Sequence, residues 1–178
     1  MTGCFALFET PVGRCAVAWT THGIAGLQLP EADESALRAA VARKHAGFAE
    51  STPTPSVTAA ISGIGALLSG EPQALAEITL DTDGLPPFHC RVYEEARRIL
   101  PGHTSTYGEL AHTLDKPGAA RAVGQALGAN PFALIVPCHR VLAAGGRLNG
   151  FSAHGGIHTK QRLLEIEGAL PRASASLF

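Results

Sequence analysis

One segment near the middle of the sequence, residues 81–87 (D-T-D-G-L-P-P), does most to limit how this chain can fold. Its turn-forming residues and two prolines interrupt regular structure, so no helix or strand is expected to run through it. The charge changes at the same place. Residues 1–84 contain four Lys and Arg against nine Asp and Glu, a net of -5, whereas residues 85–178 contain ten against six, a net of +4. We therefore predict two domains, 1–84 and 85–170, and a tail at 171–178, with any phosphate-binding charge in the second domain.

The first half has the pattern of a small sheet with helices. Two β-prone runs flank the turn sequence T-P-V-G, which predicts a hairpin, and two stretches with apolar residues at helical spacing follow. Ser56 is expected to cap the second of these helices. The predicted elements are strands at 5–9, 14–20, 26–29 and 74–80, and helices at 33–48 and between Ser56 and Gly70. We find no convergent set of reactive side chains in this half.

The second half is predicted to be mainly helical. Thr106 and Glu109 have the spacing of a capping box and should start a short helix that runs to Leu114. Pro117 should open a second helix that ends near Leu127, and two short helices joined by a brief turn form a helix-turn-helix. Further helices are predicted at 88–100 and 157–167, and residues 143–150 suit a small hairpin or wing.

The second helix of that pair, within P-G-A-A-R-A-V-G-Q-A-L-G, has small side chains on almost all sides. Composition alone favours a tightly packed core helix. Arg121 argues against that interpretation, because a large cation among alanines and glycines would be costly to bury without a partner. We therefore expect Arg121 to project outward, on a helix whose backbone can approach another surface closely.

The chemistry is predicted to lie in residues 130–141, N-P-F-A-L-I-V-P-C-H-R-V. The apolar run 132–136 is predicted to be a buried strand or core segment, and a proline stops it just before Cys138, His139 and Arg140. A Cys-His pair alone is a weak sign of a catalytic thiol, because neighbouring side chains on an extended chain point to opposite sides and a buried Cys is usually inert. Arg140 is equally consistent with an ion-pair partner and with a substrate contact.

Composition favours a globular intracellular protein, with 46% hydrophobic and 16% charged residues. No apolar run approaches the ~18 residues that a membrane span requires, and the N-terminus lacks the pattern of a secretion signal. We expect a cytoplasmic protein with no membrane partner. The four cysteines have no C-x-x-C spacing, which favours reduced thiols over a disulfide framework or a zinc ribbon.

P-C-H-R-V, preceded by N-P and by A-R-A-V-G, resembles the O6-alkylguanine-DNA alkyltransferases, also called methylated-DNA–protein-cysteine methyltransferases. Similarity extends from about residue 88 to residue 168. The resemblance implies an α+β fold, in which a small N-terminal antiparallel sheet with helices (ribonuclease H-like) precedes a mainly helical winged helix-turn-helix domain. It implies DNA repair by irreversible transfer of an alkyl group to a cysteine of the protein, once per molecule and without a cofactor. The partner would be double-stranded DNA carrying O6-alkylguanine, bound through the minor groove by a monomer.

The resemblance also assigns roles to individual residues. Cys138 would accept the alkyl group, and a water-bridged relay would join it to His139 and Glu167, with Glu165 as the rival for the last position. Asn130 would order the segment that leads to the thiol. Two further roles concern the flipped base. Tyr107 would contact the nucleotide and protonate guanine N3, and Arg121 would fill the place that the base leaves.

The remaining expected contacts fall into two sets. Those to DNA are Gly108, Lys116, Ala119 and Ala120, and those to the base are Leu127, Val141, Phe151 and Ser152. Some relatives hold a structural zinc in the N-terminal domain, but here Thr20 stands at one ligand position, so we expect no metal. Two departures are the F-S-A-H-G-G loop around Ser152, which is two residues longer than the short form, and Tyr93, where many relatives have Trp.

The alternative function is a binding module of the same shape that recognises alkylated DNA without chemistry. Relatives that lack transferase activity carry Trp at the position of the reactive cysteine. Cys138 excludes that variant.

Overall fold

The chain begins with a hairpin, as the T-P-V-G turn predicts. The computed structural model describes residues 2–171, so residues 172–178 of the predicted tail lie outside the described range. The strands are β1 (Cys4–Thr10), β2 (Gly13–Trp19), β3 (Ile24–Gln28), β4 (Ala49–Glu50), β5 (Ser105–Thr106) and β6 (Val141–Leu142). The helices are α1 (Glu34–Lys44), α2 (Pro55–Leu68), α3 (Pro87–Ala96), α4 (Tyr107–Thr113), α5 (Ala120–Gly128) and α6 (Ile157–Ile166).

The N-terminal sheet has the strand order β3-β2-β1-β4. β1 and β3 flank β2 in antiparallel pairs, which confirms the predicted hairpin and third strand. The two-residue strand β4 is parallel to β1, so the expectation of a wholly antiparallel sheet is wrong. Helix α1 carries the chain back before β4, which therefore enters the sheet in the same direction as β1.

Strand β2 is buried on both faces because a helix covers each side of the sheet. Ala16 packs with Leu37 and Val41 of α1. The alternate residues of β2 point to the opposite face, where they join the main core with α2. That core continues into the second half of the chain, and the backbone N–H of Leu27 donates to the carbonyl of Pro131. The segment that leads to Cys138 is thus anchored on the sheet.

Two further predictions in the first half are wrong. Ser56 is not the helix cap, because Thr54 accepts the hydrogen bond from the N–H of Val57 and Pro55 occupies the first turn. No strand forms at 74–80, where only Leu80 makes an isolated bridge, to Ile24. The carbonyls of residues 75, 76 and 78 instead accept hydrogen bonds from the Arg97 guanidinium. A side chain from the second half therefore satisfies the backbone groups that a strand would have paired.

The two helices predicted to form a helix-turn-helix differ from their predicted bounds mainly at the start of the second helix. Helix α4 starts with the predicted capping box, in which Thr106 and Glu109 bond reciprocally. Helix α5 begins at Ala120 and not at Pro117, because Asp115 (φ 56°) and Gly118 (φ 94°) take left-handed backbone conformations that turn the chain first. The preceding helix α3 ends at Ala96, before the predicted residue 100.

Of the two structures predicted for the apolar run 132–136, the buried core segment is confirmed and the strand is not, because the run forms a tight turn. Leu134 has φ 66°, and the N–H of Val136 donates back to the carbonyl of Phe132. Residues 143–150 contain a 3-10 turn, Ala144–Gly146, and no strand, so the hairpin predicted as one alternative there does not form. Within residues 2–171, no helix combines the length and the apolar character needed to cross a membrane.

Candidate active site

Cys138 starts a single 3-10 turn, Cys138–Arg140, directly after the tight turn. Its side chain is 9% exposed. Asn130 organises the approach: its Nδ2 donates to the carbonyl of Val136 (2.9 Å) and lies 3.5 Å from Cys138 Sγ, while its Oδ1 accepts from the N–H of Phe132 (2.8 Å). One amide side chain thus fixes the turn and points a donor at the thiol.

The thiol opens into a cleft of about 610 Å³ between the start of α4, helix α5 and the loop after β6. Seven predicted site residues line this cleft, namely Tyr107, Ala120, Arg121, Leu127, Cys138, Phe151 and Ser152. Asn149, Gly150, Gly124, Gln125 and Gly128 also line it, and sequence reasoning did not assign them.

The other predicted contacts lie outside that cleft. Val141 is fully buried behind it, so its side chain offers no surface to a ligand there. Gly108 and Lys116 are exposed elsewhere, and Ala119 is half-buried at the start of α5. Arg121 is exposed, which confirms that it projects outward.

A larger cleft of about 690 Å³ lies in the first half of the chain, between α2 and the β2–β3 turn. None of the four cysteines lines it. We therefore place the candidate active site at the smaller cleft, because that cleft contains a cysteine and the larger one does not.

Behind the thiol, a buried carboxylate joins the imidazole and the guanidinium of the P-C-H-R motif. His139 Nε2 lies 2.8 Å from Glu167 Oε1. Arg140 donates from Nε to Glu167 Oε2 (2.7 Å) and from Nη2 to Oε1 (2.8 Å), and its Nη1 donates to the carbonyl of Ile99. Arg140 is therefore an ion-pair partner, one of the two roles left open by the sequence.

Glu167 caps the C-terminal end of α6, which is how it reaches the turn that holds Cys138. Glu165 instead accepts a hydrogen bond from Gln161 Nε2 (2.8 Å) on its own helix. The geometry thus brings Glu167 to His139 and leaves Glu165 on the flank of α6.

The protonation states follow from burial and partners. Burial alone would raise the pKa of Glu167, but the hydrogen bonds from His139 and Arg140 outweigh it and hold that pKa at about 2. Burial lowers the pKa of His139, although Glu167 opposes this. The imidazole is therefore neutral near pH 7. Since Nε2 faces the carboxylate, the proton belongs there and Nδ1 is free to accept one. Within residues 2–171, Nδ1 is buried and has no hydrogen-bond partner.

Burial also sets the states of the thiol and the phenol. It raises the pKa of Cys138, while the Asn130 hydrogen bond and the charge of Lys160 pull in the opposite direction. Burial likewise raises the pKa of Tyr107, with a smaller contribution from Cys138. Both groups hold their protons at neutral pH. The thiol must lose its proton to react, and the phenol has one to give.

Sequence reasoning missed Lys160, which has no exposed surface. A signal for it was present. Lys160 precedes the buried Leu163 and Leu164 by three and four residues, so it falls within the apolar stripe of α6.

Outside the cleft, His22, Asp81 and Asp83 are the one group within residues 2–171 whose ligand atoms could hold a metal ion, all within 4.8 Å of one another. Their polar atoms already have protein partners: Thr20 donates to Asp81, and His22 Nδ1 lies 2.9 Å from Asp83. The expectation that the protein holds no metal stays a prediction.

The residues that line this cleft fall within the part of the chain that matches a known family. Residues 87–169 match the family described as 6-O-methylguanine DNA methyltransferase, DNA binding domain. A methylated-DNA–protein-cysteine methyltransferase of Mycobacterium tuberculosis strain H37Rv is 43% identical over 128 residues, which are 71% of this chain and 75% of the relative. The Mycobacterium leprae protein of the same name is 36% identical over 170 residues, 96% of this chain and 95% of that one.

Two solved structures show the same fold. The crystal structure of Mycobacterium tuberculosis OGT in complex with DNA gives a TM-score of 0.77 at 32% identity, covering 95% of this chain and 94% of that one. The O6-methylguanine-DNA methyltransferase of the archaeon Pyrococcus kodakaraensis gives 0.69 at 28% identity, covering 92% and 99%. The mixed α+β architecture described above is therefore shared over nearly the whole chain.

Proposed function

Because this chain belongs to the 6-O-methylguanine DNA methyltransferase family, we propose that Cys138 is the cysteine to which it transfers the alkyl group of O6-alkylguanine. The protein repairs DNA by moving that group directly and irreversibly onto itself. One observation carries the assignment of the acceptor. Of the four cysteines, all within residues 2–171, only Cys138 lines a cleft that it shares with Tyr107 and Arg121.

The proposed transfer is a single displacement at the alkyl carbon. Nδ1 of His139 takes the thiol proton through a bridging water, and Glu167 supports the imidazolium that forms. The Sγ of Cys138 then forms a bond to the alkyl carbon as the bond from carbon to guanine O6 breaks, and the electron pair of that bond goes to the base.

The base accepts a proton at N3 from Tyr107, and it becomes ordinary guanine when that proton is exchanged through water for one at N1. The proton on His139 returns to the tyrosinate by exchange through water, so the net reaction consumes none. Cys138 ends as a thioether, which has no proton to lose and no route back to the thiol. This limits each molecule to one transfer.

We propose that α4 and α5 belong to a winged helix-turn-helix that binds DNA, and that α5 lies in the minor groove. The small side chains of α5 support close approach to the groove, and Arg121 projects from its exposed side. A base stacked inside the duplex cannot reach a thiol that is 9% exposed at the base of a cleft. The base must therefore be flipped out, and Arg121 would occupy the place it leaves.

The other half of the chain has a supporting role in this proposal. We infer a ribonuclease H-like N-terminal domain that carries the 130–137 segment on its sheet, through the hydrogen bond from Leu27 to Pro131. We further infer a monomer that acts in the cytoplasm, because the reaction needs a reduced thiol and access to DNA.

Intact-mass measurement tests the assignment of the acceptor. After incubation with an oligonucleotide that contains O6-methylguanine, the wild-type protein should gain the mass of one methylene unit, located at Cys138 by peptide mapping. Cys138→Ser should gain nothing and still bind the oligonucleotide, and Cys90→Ser is the matched control that should react normally. An adduct on another cysteine would overturn the assignment. Binding with no mass change in the wild-type protein would favour the module without chemistry.

A further inference from the structure

Within residues 2–171, the mechanism above leaves one buried cation without a role. Lys160, on α6, has no exposed surface, and its Nζ donates to the carbonyls of Val141 (2.7 Å) and Asn149 (3.2 Å). Both acceptors are neutral. Within residues 2–171, Lys160 forms no ion pair with a carboxylate. A buried ammonium whose partners are only carbonyls carries an uncompensated charge, which is costly unless some other group balances it.

The charges around the Cys138 thiol show which group could balance the charge of Lys160. Glu167 is matched by Arg140, and the two side chains are 2% and 5% exposed, so this pair is neutral as a unit. His139 is kept neutral by burial, which lowers its pKa. Two phenols face the same region, and burial raises the pKa of each. The charged and titratable groups that surround Cys138 are Tyr93 on α3, Tyr107 on α4, Arg121 on α5, His139 and Arg140 in its own turn, and Lys160 and Glu167 on α6.

Of these groups only two cations lack a carboxylate partner, Arg121 and Lys160. Arg121 is exposed at the mouth of the cleft, where water and salt screen its charge. Lys160 is buried, with its Nζ 6.0 Å from the centroid of the Tyr107 ring. A charge in that setting acts on its neighbours with little screening.

We propose that Lys160 is a positioning residue whose ammonium group is the counter-charge of the Cys138 thiolate and whose hydrogen bonds hold the Asn149 end of the cleft wall. The proposal rests on the proposed function only in naming Cys138 as the reacting thiol. With the thiol protonated, the buried set of Lys160, Arg140 and Glu167 has a net charge of +1. When the thiol proton has passed to His139 and then to water, the thiolate adds one negative charge. The net charge of these three groups and the thiolate together is then zero. The thiolate is thus the state that balances the buried charge.

The coupling should be mutual, because a cation that favours a thiolate is favoured by it in turn. Burial lowers the pKa of Lys160, and the Cys138 thiolate raises it. After alkyl transfer the thioether is neutral, so Lys160 again lacks a counter-charge.

The test separates charge from hydrogen bonding. Lys160→Gln keeps a donor for the carbonyls and removes the charge, whereas Lys160→Met removes both. The readout is the rate at which iodoacetamide modifies Cys138 as a function of pH, followed by peptide mass spectrometry on the full chain without DNA. If Lys160 is the counter-charge, both variants should react about tenfold more slowly near pH 7 and recover as pH rises, because a shift of one pKa unit changes the thiolate fraction by that factor. Arg162→Gln, an exposed position on the same helix, is the control for net charge and should match the wild type.

The outcomes are distinct. A wild-type pH profile in Lys160→Gln, whatever Lys160→Met does, would show that only the hydrogen bonds matter and would overturn the counter-charge. If neither variant folds, the reciprocal measurement uses folded proteins: nitrogen NMR of the Lys160 side chain should give a lower pKa in Cys138→Ser than in the wild type, and equal values would overturn the proposal. Neither readout involves DNA or alkyl transfer. A failure of this proposal can therefore be distinguished from a failure of Cys138 to accept an alkyl group.

Discussion

Replacing Arg140 with methionine should lower the free energy of unfolding by about 3–5 kcal/mol, the usual cost of removing one partner from a buried ion pair. The side chains of Arg140 and Glu167 are 5% and 2% exposed, so water cannot take the place of the lost guanidinium. Two hydrogen bonds to the carboxylate and one to the carbonyl of Ile99 disappear together. For a chain of this size, the loss corresponds to a decrease in Tm of roughly 6–20 °C.

The deficit should depend on pH, because His139 is the remaining partner of Glu167. Burial and, less strongly, the charge of Arg140 lower the pKa of His139 in the wild-type protein. Removing Arg140 therefore raises the pKa of His139. A group whose folded pKa rises stabilises the folded state at low pH and loses that contribution as pH increases through the folded pKa. The Arg140→Met deficit should thus be smaller at pH 5 than at pH 8.

Urea denaturation followed by circular dichroism, at both pH values, measures these differences. Arg98→Met is the matched control, since its pair with Glu95 is largely exposed on the Arg98 side and should contribute about 0–1 kcal/mol. Arg140→Met combined with Glu167→Gln should recover part of the loss, because no unpaired carboxylate then remains buried. A change below about 1 kcal/mol in Arg140→Met, equal to that of the control, would refute the account of the pair as a buried unit.

Three further predictions concern the reaction and its pH dependence. Arg121→Ala should slow repair of duplex DNA about tenfold or more and leave the reaction with free O6-methylguanine less affected, because only the duplex requires flipping. Tyr107→Phe should slow the reaction with both substrates alike. Comparable losses on both substrates for Arg121→Ala would assign it a structural role. Glu167→Gln should slow alkylation near neutral pH, with partial recovery at higher pH, and Glu165→Gln should leave the rate profile unchanged; the reverse pattern would transfer the role to Glu165. Finally, the ordinary pKa of Glu167 is 4.5 and its folded pKa is about 2, so its ionisation should contribute about 3 kcal/mol to the stability of the wild type above pH 4.5. That contribution is lost as pH falls towards 2. The free energy of unfolding measured against pH should decrease over this range in the wild type and not in Glu167→Gln.

The features that the sequence predicted well are those determined by neighbours along the chain. The capping box at Thr106 and Glu109 needs only two side chains three residues apart, and it forms as expected. The hairpin around T-P-V-G depends on a local turn in the same way. Asn130, Cys138 and His139 also come from one contiguous segment, which is why a short motif locates them.

The predictions that failed concern side-chain contacts and backbone conformations that composition and spacing do not show. The run 132–136 has strand composition, but the side chain of Asn130 and the left-handed backbone of Leu134 make it a turn. Residues 74–80 lose their strand because Arg97 reaches their carbonyls from another helix. Lys160 was overlooked for the same reason: its acceptors, at Val141 and Asn149, are not visible along α6.

The short parallel pairing of β5 with β6 makes the candidate site depend on the completed fold. It joins Ser105 to Val141 and Thr106 to Leu142, and it holds the start of α4 beside the end of the turn that contains Cys138. Lys160 and Glu167 follow Cys138 by 22 and 29 residues, so an unfolded chain does not hold them beside the thiol. A nascent or unfolded copy therefore has an ordinary thiol and no formed cleft, because contacts between distant residues form late in folding. If Lys160 and Glu167 act as proposed, the thiol becomes reactive only after α6 has docked, and a copy that has not yet folded keeps its single transfer.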